Sequence, residues 1–181
     1  MKKEIEIKIE LTPDEFNNLV PRSSNFHLER TFGYFKEDFS NIKEGIFPRI
    51  KYIEGEEKEI ILTVKRKTKD NTHFFEREEI EMKLREENIE TLREILKSLG
   101  FSKEIVFEKK RKNIFKDDIT ISFDELPFGF FIEFEGEPET IDRYLKEFNL
   151  SNRPRITRAY LGLWEDYKKA HGIAEENCIF K

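Results

Sequence analysis

The sequence predicts an α+β protein: a closed antiparallel β-barrel of about eight strands with helices packed on its outside. Three observations lead there. Apolar and charged residues alternate in segment after segment, a few amphipathic helical stretches separate and follow those segments, and a sheet this large must deal with its edges, which closure removes. With 181 residues the chain fits one domain spanning 1–181, long enough to bury a substantial core.

The first strand is the clearest. Ile5, Ile7, Ile9 and Leu11 fall on one side of an extended segment, Glu4, Glu6, Lys8 and Glu10 on the other. Thr12-Pro13-Asp14-Glu15 then offers an N-cap, a proline at the first helical position and a capping-box glutamate ahead of Phe16 and Leu19. Further strands are expected at 26–36, 46–54, 58–67, 73–83, 104–115, where alternation is weak, 118–124 and 129–136. Turns are expected at Glu54-Gly55, Asp70-Asn71 and Pro127-Phe128-Gly129. Helical spacing marks 88–99, through Ile89, Leu92, Ile95, Leu96 and Leu99 with Gly100 behind them, and 138–149, through Ile141, Tyr144, Leu145 and Phe148. A last helix is expected over 157–170, with Tyr160, Leu161, Leu163, Trp164 and Tyr167 as packing residues.

Composition narrows the function. Charged residues make up 39% and hydrophobic ones 37%, so charges must share elements with apolar side chains, and the 18 phenylalanines supply much of the packing area. The 33 basic and 38 acidic residues leave a net charge of −5, against a general nucleic-acid surface and in keeping with metals plus phosphates. A single cysteine, Cys178, excludes a disulfide framework or thiolate metal cluster. The N-terminus has charges at every second position and no apolar run is long enough to span a bilayer, so a cytoplasmic protein without membrane contact is expected.

Alternation alone leaves two arrangements open. The conventional one puts charged faces in solvent around an apolar core, and alternation by itself favours it. The other turns the apolar faces outward to meet the helices and leaves the charged faces lining the barrel. Glu4-Ile5-Glu6-Ile7-Lys8 bears on the choice: it sets two carboxylates and an ammonium on one strand face, about 6.5 Å apart in succession, and hard divalent cations want such paired oxygens.

These residues resemble the ExExK signature of the CYTH superfamily of triphosphate tunnel metalloenzymes, which includes class IV adenylyl cyclases and thiamine triphosphatases. The resemblance continues in order along nearly the whole chain. Phe47-Pro48-Arg49-Ile50-Lys51 is similar to the family's alternating basic pair, with lysine replacing the second arginine, and Leu62-Thr63-Val64-Lys65 to the strand bearing a phosphate-binding lysine. Arg77-Glu78-Glu79-Ile80-Glu81 resembles an R-x-E-x-E strand and Val106 through Arg111 a V-x-x-K-x-R strand. Ile121-Ser122-Phe123-Asp124 and Gly129 through Glu135 resemble the closing hairpin, with an aspartate and an ExE pair.

The resemblance implies the inward arrangement, a tunnel holding a triphosphate-containing small molecule and Mg2+ or Mn2+. It implies phosphate binding by Lys8, Arg49, Lys51, Lys65, Arg77, Lys109 and Arg111, with Lys8, Lys65 and Arg111 catalytic. It implies metal ligation by Glu4, Glu6, Glu79, Glu81, Asp124, Glu133 and Glu135, although Glu79 and Glu81 either complete a second metal position or aim basic side chains. The expected activity is hydrolysis of tripolyphosphate, a nucleoside triphosphate or thiamine triphosphate. Cyclisation of ATP by a class IV adenylyl cyclase and non-catalytic polyphosphate binding are the alternatives, and a homodimer is left open. Thr31 through Phe35 lacks the acid that precedes the family's aromatic pair, so Tyr34 reads as structural. His27, His73 and His171 show no ligand spacing and read as surface or packing residues. Lys67 reads as capping a turn, and Arg158 reads equally as a solvated side chain or one reaching the bore from its rim.

Overall fold

A computed structural model describes residues 2–22, 25–67, 73–116 and 118–181. Eight strands run β1 (Lys2–Leu11), β2 (His27–Phe35), β3 (Ile46–Glu54), β4 (Lys58–Lys67), β5 (Phe75–Lys83), β6 (Lys103–Lys116), β7 (Ile119–Leu126) and β8 (Gly129–Gly136). They close in the order β1-β5-β4-β3-β2-β6-β7-β8, every neighbouring pair antiparallel, so each strand has a partner on both sides along at least part of its length. The predicted turns at 54–55 and 127–129 join β3 to β4 and β7 to β8. The turn expected at Asp70-Asn71 and the side chain of Lys67 lie outside the described residues.

Among the described residues five α-helices accompany the barrel: α1 (Pro13–Leu19), α2 (Ser40–Glu44), α3 (Ile89–Ser98), α4 (Pro138–Glu147) and α5 (Tyr160–His171). At α1 the capping box is formed, Thr12 Oγ1 accepting from the Glu15 amide at 3.2 Å and the Glu15 carboxylate accepting from the Thr12 amide at 2.8 Å. Thr12→Ala should therefore lower stability by about 1 kcal/mol, read from urea melts. Helix α2 was not expected. Five residues carry no period, and its bounds are set by Phe39 and Gly45, both in the left-handed region, and by Asn41, whose amide group joins Lys36 N–H to the Ile46 carbonyl. The last helix starts at Tyr160 instead of 157, because Ile156 pairs with the backbone of Lys8 and Ala159 is still extended.

The two largest core clusters lie outside the barrel wall. Ile5, Ile7 and Ile9 of β1, Ile121 and Phe123 of β7 and Ile132 and Phe134 of β8 are buried against Phe16 of α1 and Ile141, Tyr144 and Leu145 of α4. A second cluster joins Tyr34, Ile50 and Ile60 to Ile89 and Leu96 of α3. Tyr34 thus points away from the bore, with its hydroxyl accepting from Arg93 Nε at 3.2 Å, and its role is structural. Strand β6, weakly patterned in sequence, is the longest, at 14 residues. It pairs with β2 along its first part and β7 along its second, while the outward-facing Glu108 of the first part bonds Arg30. The C-terminal segment covers the remaining edge of that first part through Cys178, whose amide donates to the Val106 carbonyl at 2.9 Å. The Cys178 thiol is buried and in no disulfide, and burial pushes it up to about 12. No helix among the described residues is long and apolar enough to cross a membrane.

Candidate active site

Because the apolar faces are taken up outside, every second residue of each strand projects into the barrel, and there the charges meet. Every candidate residue except Asp124 lines one cavity of about 280 Å³: Glu4, Glu6 and Lys8 from β1, Arg49 and Lys51 from β3, Lys65 from β4, Arg77, Glu79 and Glu81 from β5, Lys109 and Arg111 from β6, Glu133 and Glu135 from β8. Asp124 lies behind the lining, fully buried.

The charges are cross-linked. Lys65 Nζ sits 2.7 Å from Glu4 Oε2 and 3.2 Å from Glu79 Oε1, while an Arg77 terminal nitrogen sits 3.1 Å from Glu4 and 3.0 Å from Glu6. Lys8 bonds Glu6 and lies 3.3 Å from Glu133. Arg111 grips Asp124 with two nitrogens, at 2.6 and 2.5 Å, and also reaches Glu133 at 2.9 Å. Such mutual neutralisation is what makes a buried set of this many charges tolerable. Glu81, nearer solvent, accepts from the Thr63 hydroxyl at 3.0 Å.

Arg49 and Arg77 stand apart. Arg49 has one long contact, 3.4 Å to Glu79, and the Nε atoms of both arginines are buried without a partner. The protein's own carboxylates leave these two donors free at the wall of the cavity.

Titration follows from this wiring. Burial works against the charged form of each group, and the neighbours outweigh it at most of them. Lys65 and Arg77 hold the Glu4 carboxyl below its ordinary value, Arg111 and Lys8 hold that of Glu133 well below it, and Glu6 and Glu133 raise the Lys8 ammonium. Lys65 goes the other way. Burial first, then Arg49 and Arg77, bring it down to about 8, against the pull of Glu4 and Glu6.

Three groups in the bore were not singled out in the sequence. Glu29 of β2 is buried, with its oxygens 3.3 Å from Lys109 and 3.1 Å from His27, and Lys109 with Arg111 keeps it well below the ordinary carboxylate range. His27, expected on the surface or in packing, is therefore joined to the charged network. Thr31 is buried one alternate position further along β2. The signal existed, since Glu29 and Thr31 alternate in phase, but the weak apolar pattern of that strand hid which face was inward. Tyr160, expected to pack on the wall, lines the cavity and donates its hydroxyl to Asp124 at 2.7 Å. Arg158 does not enter the bore; it pairs with Asp166 and its side chain is 53% exposed. Trp164 packs against Phe107 and Cys178, as expected, with its indole N–H on the Glu176 carbonyl.

The donors available for a metal are hard carboxylate oxygens, which suits Mg2+ or Mn2+ by chemistry. Each group whose contacts are given above is engaged by a cation or hydroxyl, and among the described residues no three acidic, histidine or cysteine side chains converge tightly enough to hold an ion as they stand. A metal would therefore enter by exchange for ammonium or guanidinium partners.

Comparison with known proteins agrees with this architecture. The CYTH domain profile matches residues 2–156. The PH1819 protein of Pyrococcus horikoshii superimposes with a TM-score of 0.73 at 27% identity, over 91% of this chain and 99% of its own. A candidate adenylate cyclase from Vibrio parahaemolyticus shares the fold at TM-score 0.66 and 18% identity, over 91% of this chain and 98% of its own. A Hippeastrum protein described as a candidate adenylyl cyclase with a dominant triphosphatase activity does so at 0.64 and 15%, over 92% and 96%. No curated protein matches the chain. The profile runs from the first strand to the segment that pairs with Lys8, and the charged bore is built from the strands between them: the chain belongs to the CYTH domain family.

Proposed function

We propose that the chain is a divalent-metal-dependent phosphohydrolase acting on a linear triphosphate bound in the barrel. The observation that carries this reading is the pair of buried, unpartnered Nε–H donors on Arg49 and Arg77 beside a dense set of cations. The oxygens of a polyanion entering the cavity can accept from both. The acids supply the other half. Anion capture alone needs no carboxylates, whereas a metal-bridged polyphosphate does.

In this reading Lys8, Lys65 and Arg111 hold the oxygens of the transferred phosphoryl group and stabilise the charge that develops there. Arg49, Lys51, Arg77 and Lys109 hold the rest of the chain of phosphates. Glu4, Glu6, Glu79, Glu81, Glu133 and Glu135 would hold Mg2+ or Mn2+, which when bound supplies Lewis-acid polarisation of the phosphoanhydride. Asp124 could join them only by releasing Arg111; in the arrangement present it aims that guanidinium.

The names of the Vibrio and Hippeastrum proteins keep a class IV adenylyl cyclase as the second reading. Phe35, Phe47, Phe75 and Phe107 wall the same cavity, the first three near the ends of their strands, and offer an apolar surface to an organic group carried by the phosphates. Incubation with ATP, tripolyphosphate or thiamine triphosphate, each with Mg2+ or Mn2+, separates the readings by product. Orthophosphate release supports the hydrolase, cyclic AMP with pyrophosphate overturns it for the cyclase, and binding without product overturns both for a binding module.

Lys65 adds a pH signature. Its folded value, about 8, lies below its ordinary 10.5, so the ammonium is present below pH 8 and lost above it. As a stability term the charged form is disfavoured below that point, and the penalty fades as pH rises towards 10.5. For anion binding the sign reverses. Relative to a Lys65→Arg variant, which stays charged, metal-free tripolyphosphate affinity should be level below pH 8 and fall above it, by up to about tenfold per unit, with proton uptake on binding. Calorimetry at pH 9 in two buffers of different ionisation enthalpy, on the unmodified protein and on Lys65→Arg, separates that uptake from the ligand's own terminal proton; the same proton count for both would remove Lys65 from the phosphate site.

A further inference from the structure

Helix α5 starts beyond residue 156, where the family profile ends, yet its first residue reaches into the bore. Tyr160 is 7% exposed, and the chain just ahead of it is pinned by two backbone bonds between Ile156 and Lys8, at 3.1 and 2.9 Å. Its hydroxyl donates to Asp124 Oδ2 at 2.7 Å. Its ring lies 5.2 Å from the Lys8 ammonium and 5.5 Å from that of Lys109, and meets Phe131 edge-on at 5.2 Å.

Asp124 is the hinge of this contact. Its Oδ1 is taken by Arg111 Nε and its Oδ2 is shared by an Arg111 terminal nitrogen, Tyr160 and, at 3.6 Å, Lys109. A carboxylate held by one guanidinium alone can rock about that pair; a third donor from a different element fixes its plane. A tyrosine needed only to pack on Phe131 would have no use for the hydroxyl, and phenylalanine would avoid burying it.

We propose that Tyr160 is a positioning residue for phosphate recognition: its hydroxyl fixes Asp124, which fixes the Arg111 guanidinium, while its ring face supports the ammonium groups of Lys8 and Lys109 beside the cavity. The helix outside the matched segment is thereby part of the binding site. This rests on the triphosphate reading above, since Arg111 is positioned for an anion.

The test is calorimetric titration of the full chain with inorganic tripolyphosphate, without metal, for the unmodified protein, Tyr160→Phe, Asp124→Asn and the double variant. Tyr160→Phe keeps the ring and should weaken Kd by about tenfold, the loss of one charge-assisted hydrogen bond. The double variant should be no weaker than Asp124→Asn alone, because both changes act through one path. Tyr160→Phe placed on Arg111→Lys supplies the same comparison if Asp124→Asn does not fold, and should likewise add nothing. A packing role alone would lower the melting temperature and leave the Kd of the folded protein within twofold of the original; that result, or losses that multiply in the double variants, overturns the inference. No tripolyphosphate binding by the unmodified protein overturns the reading beneath it and the inference with it.

Discussion

Arg49→Ala is expected to weaken tripolyphosphate binding by about 100-fold while leaving the empty protein as stable as before, or more so. The two halves have one cause. Arg49 makes a single long contact, 3.4 Å to Glu79, leaves a buried Nε unpaired, and is the strongest charged neighbour depressing Lys65. Removing it gives up little in the empty barrel and relieves a cation–cation repulsion. In the complex it gives up a guanidinium on the phosphates, where each charge-assisted bond contributes about 1.5–3 kcal/mol. Arg111 is the contrast. It holds Asp124 and Glu133 together, so Arg111→Ala takes the shared cation from two buried carboxylates, leaving Glu133 to Lys8 and Asp124 to Tyr160 and Lys109, and should cost the fold about 3 kcal/mol as well as the ligand. Urea melts and titrations with tripolyphosphate and with orthophosphate, run on both variants, check the pair. Equal losses for the two ligands at Arg49, or a melt for Arg49→Ala as depressed as that for Arg111→Ala, would mean that Arg49 is a structural ion-pair partner.

The difference between these arginines was not legible in the sequence, although both positions were. Periodicity of two identifies which residues share a face, and in β1, with Ile5, Ile7 and Ile9 buried outside and Glu4, Glu6 and Lys8 buried inside, it is followed without exception. Which face is inward is a different question, because a strand with one apolar and one charged face reads the same whether the helices lie within a core or around a barrel. The ordered likeness to the family's motifs decided it, and the clusters beneath α1, α3 and α4 show the reason: the helices bury the apolar faces from outside. Pairing is less legible still. Asp124 reads as one more acid in phase, yet its place behind the lining depends on Arg111 across β6 and β7 and on Tyr160 from a helix 36 residues later. Glu29 was hidden for the opposite reason, since Leu28, Arg30 and Phe32 give its strand no clean apolar face.

The second large effect is expected at Glu6. Glu6→Gln should lower metal-dependent turnover by at least about 100-fold, about 2.7 kcal/mol of transition-state stabilisation, while the barrel stays folded. Glutamine keeps the volume but a single acceptor oxygen, and since Lys8 and Arg77 use different oxygens of Glu6, one of the two cations loses its partner while the shape is kept. Its stability cost should stay near that of one weakened buried bond, about 1–3 kcal/mol. Metal-free triphosphate binding supplies the decisive sign. If Glu6 serves as a metal ligand, removing its charge takes one repulsive carboxylate from beside the phosphates, so metal-free affinity rises as metal-dependent turnover collapses. If Glu6 serves only to aim Lys8 and Arg77, both fall together, because the cations that grip the anion lose their guide. Titrating tripolyphosphate into Glu6→Gln with and without Mg2+, beside turnover as a function of Mg2+ concentration, separates the two, and a parallel fall would withdraw Glu6 from the metal set and leave Glu4, Glu133 and Glu135 to carry it.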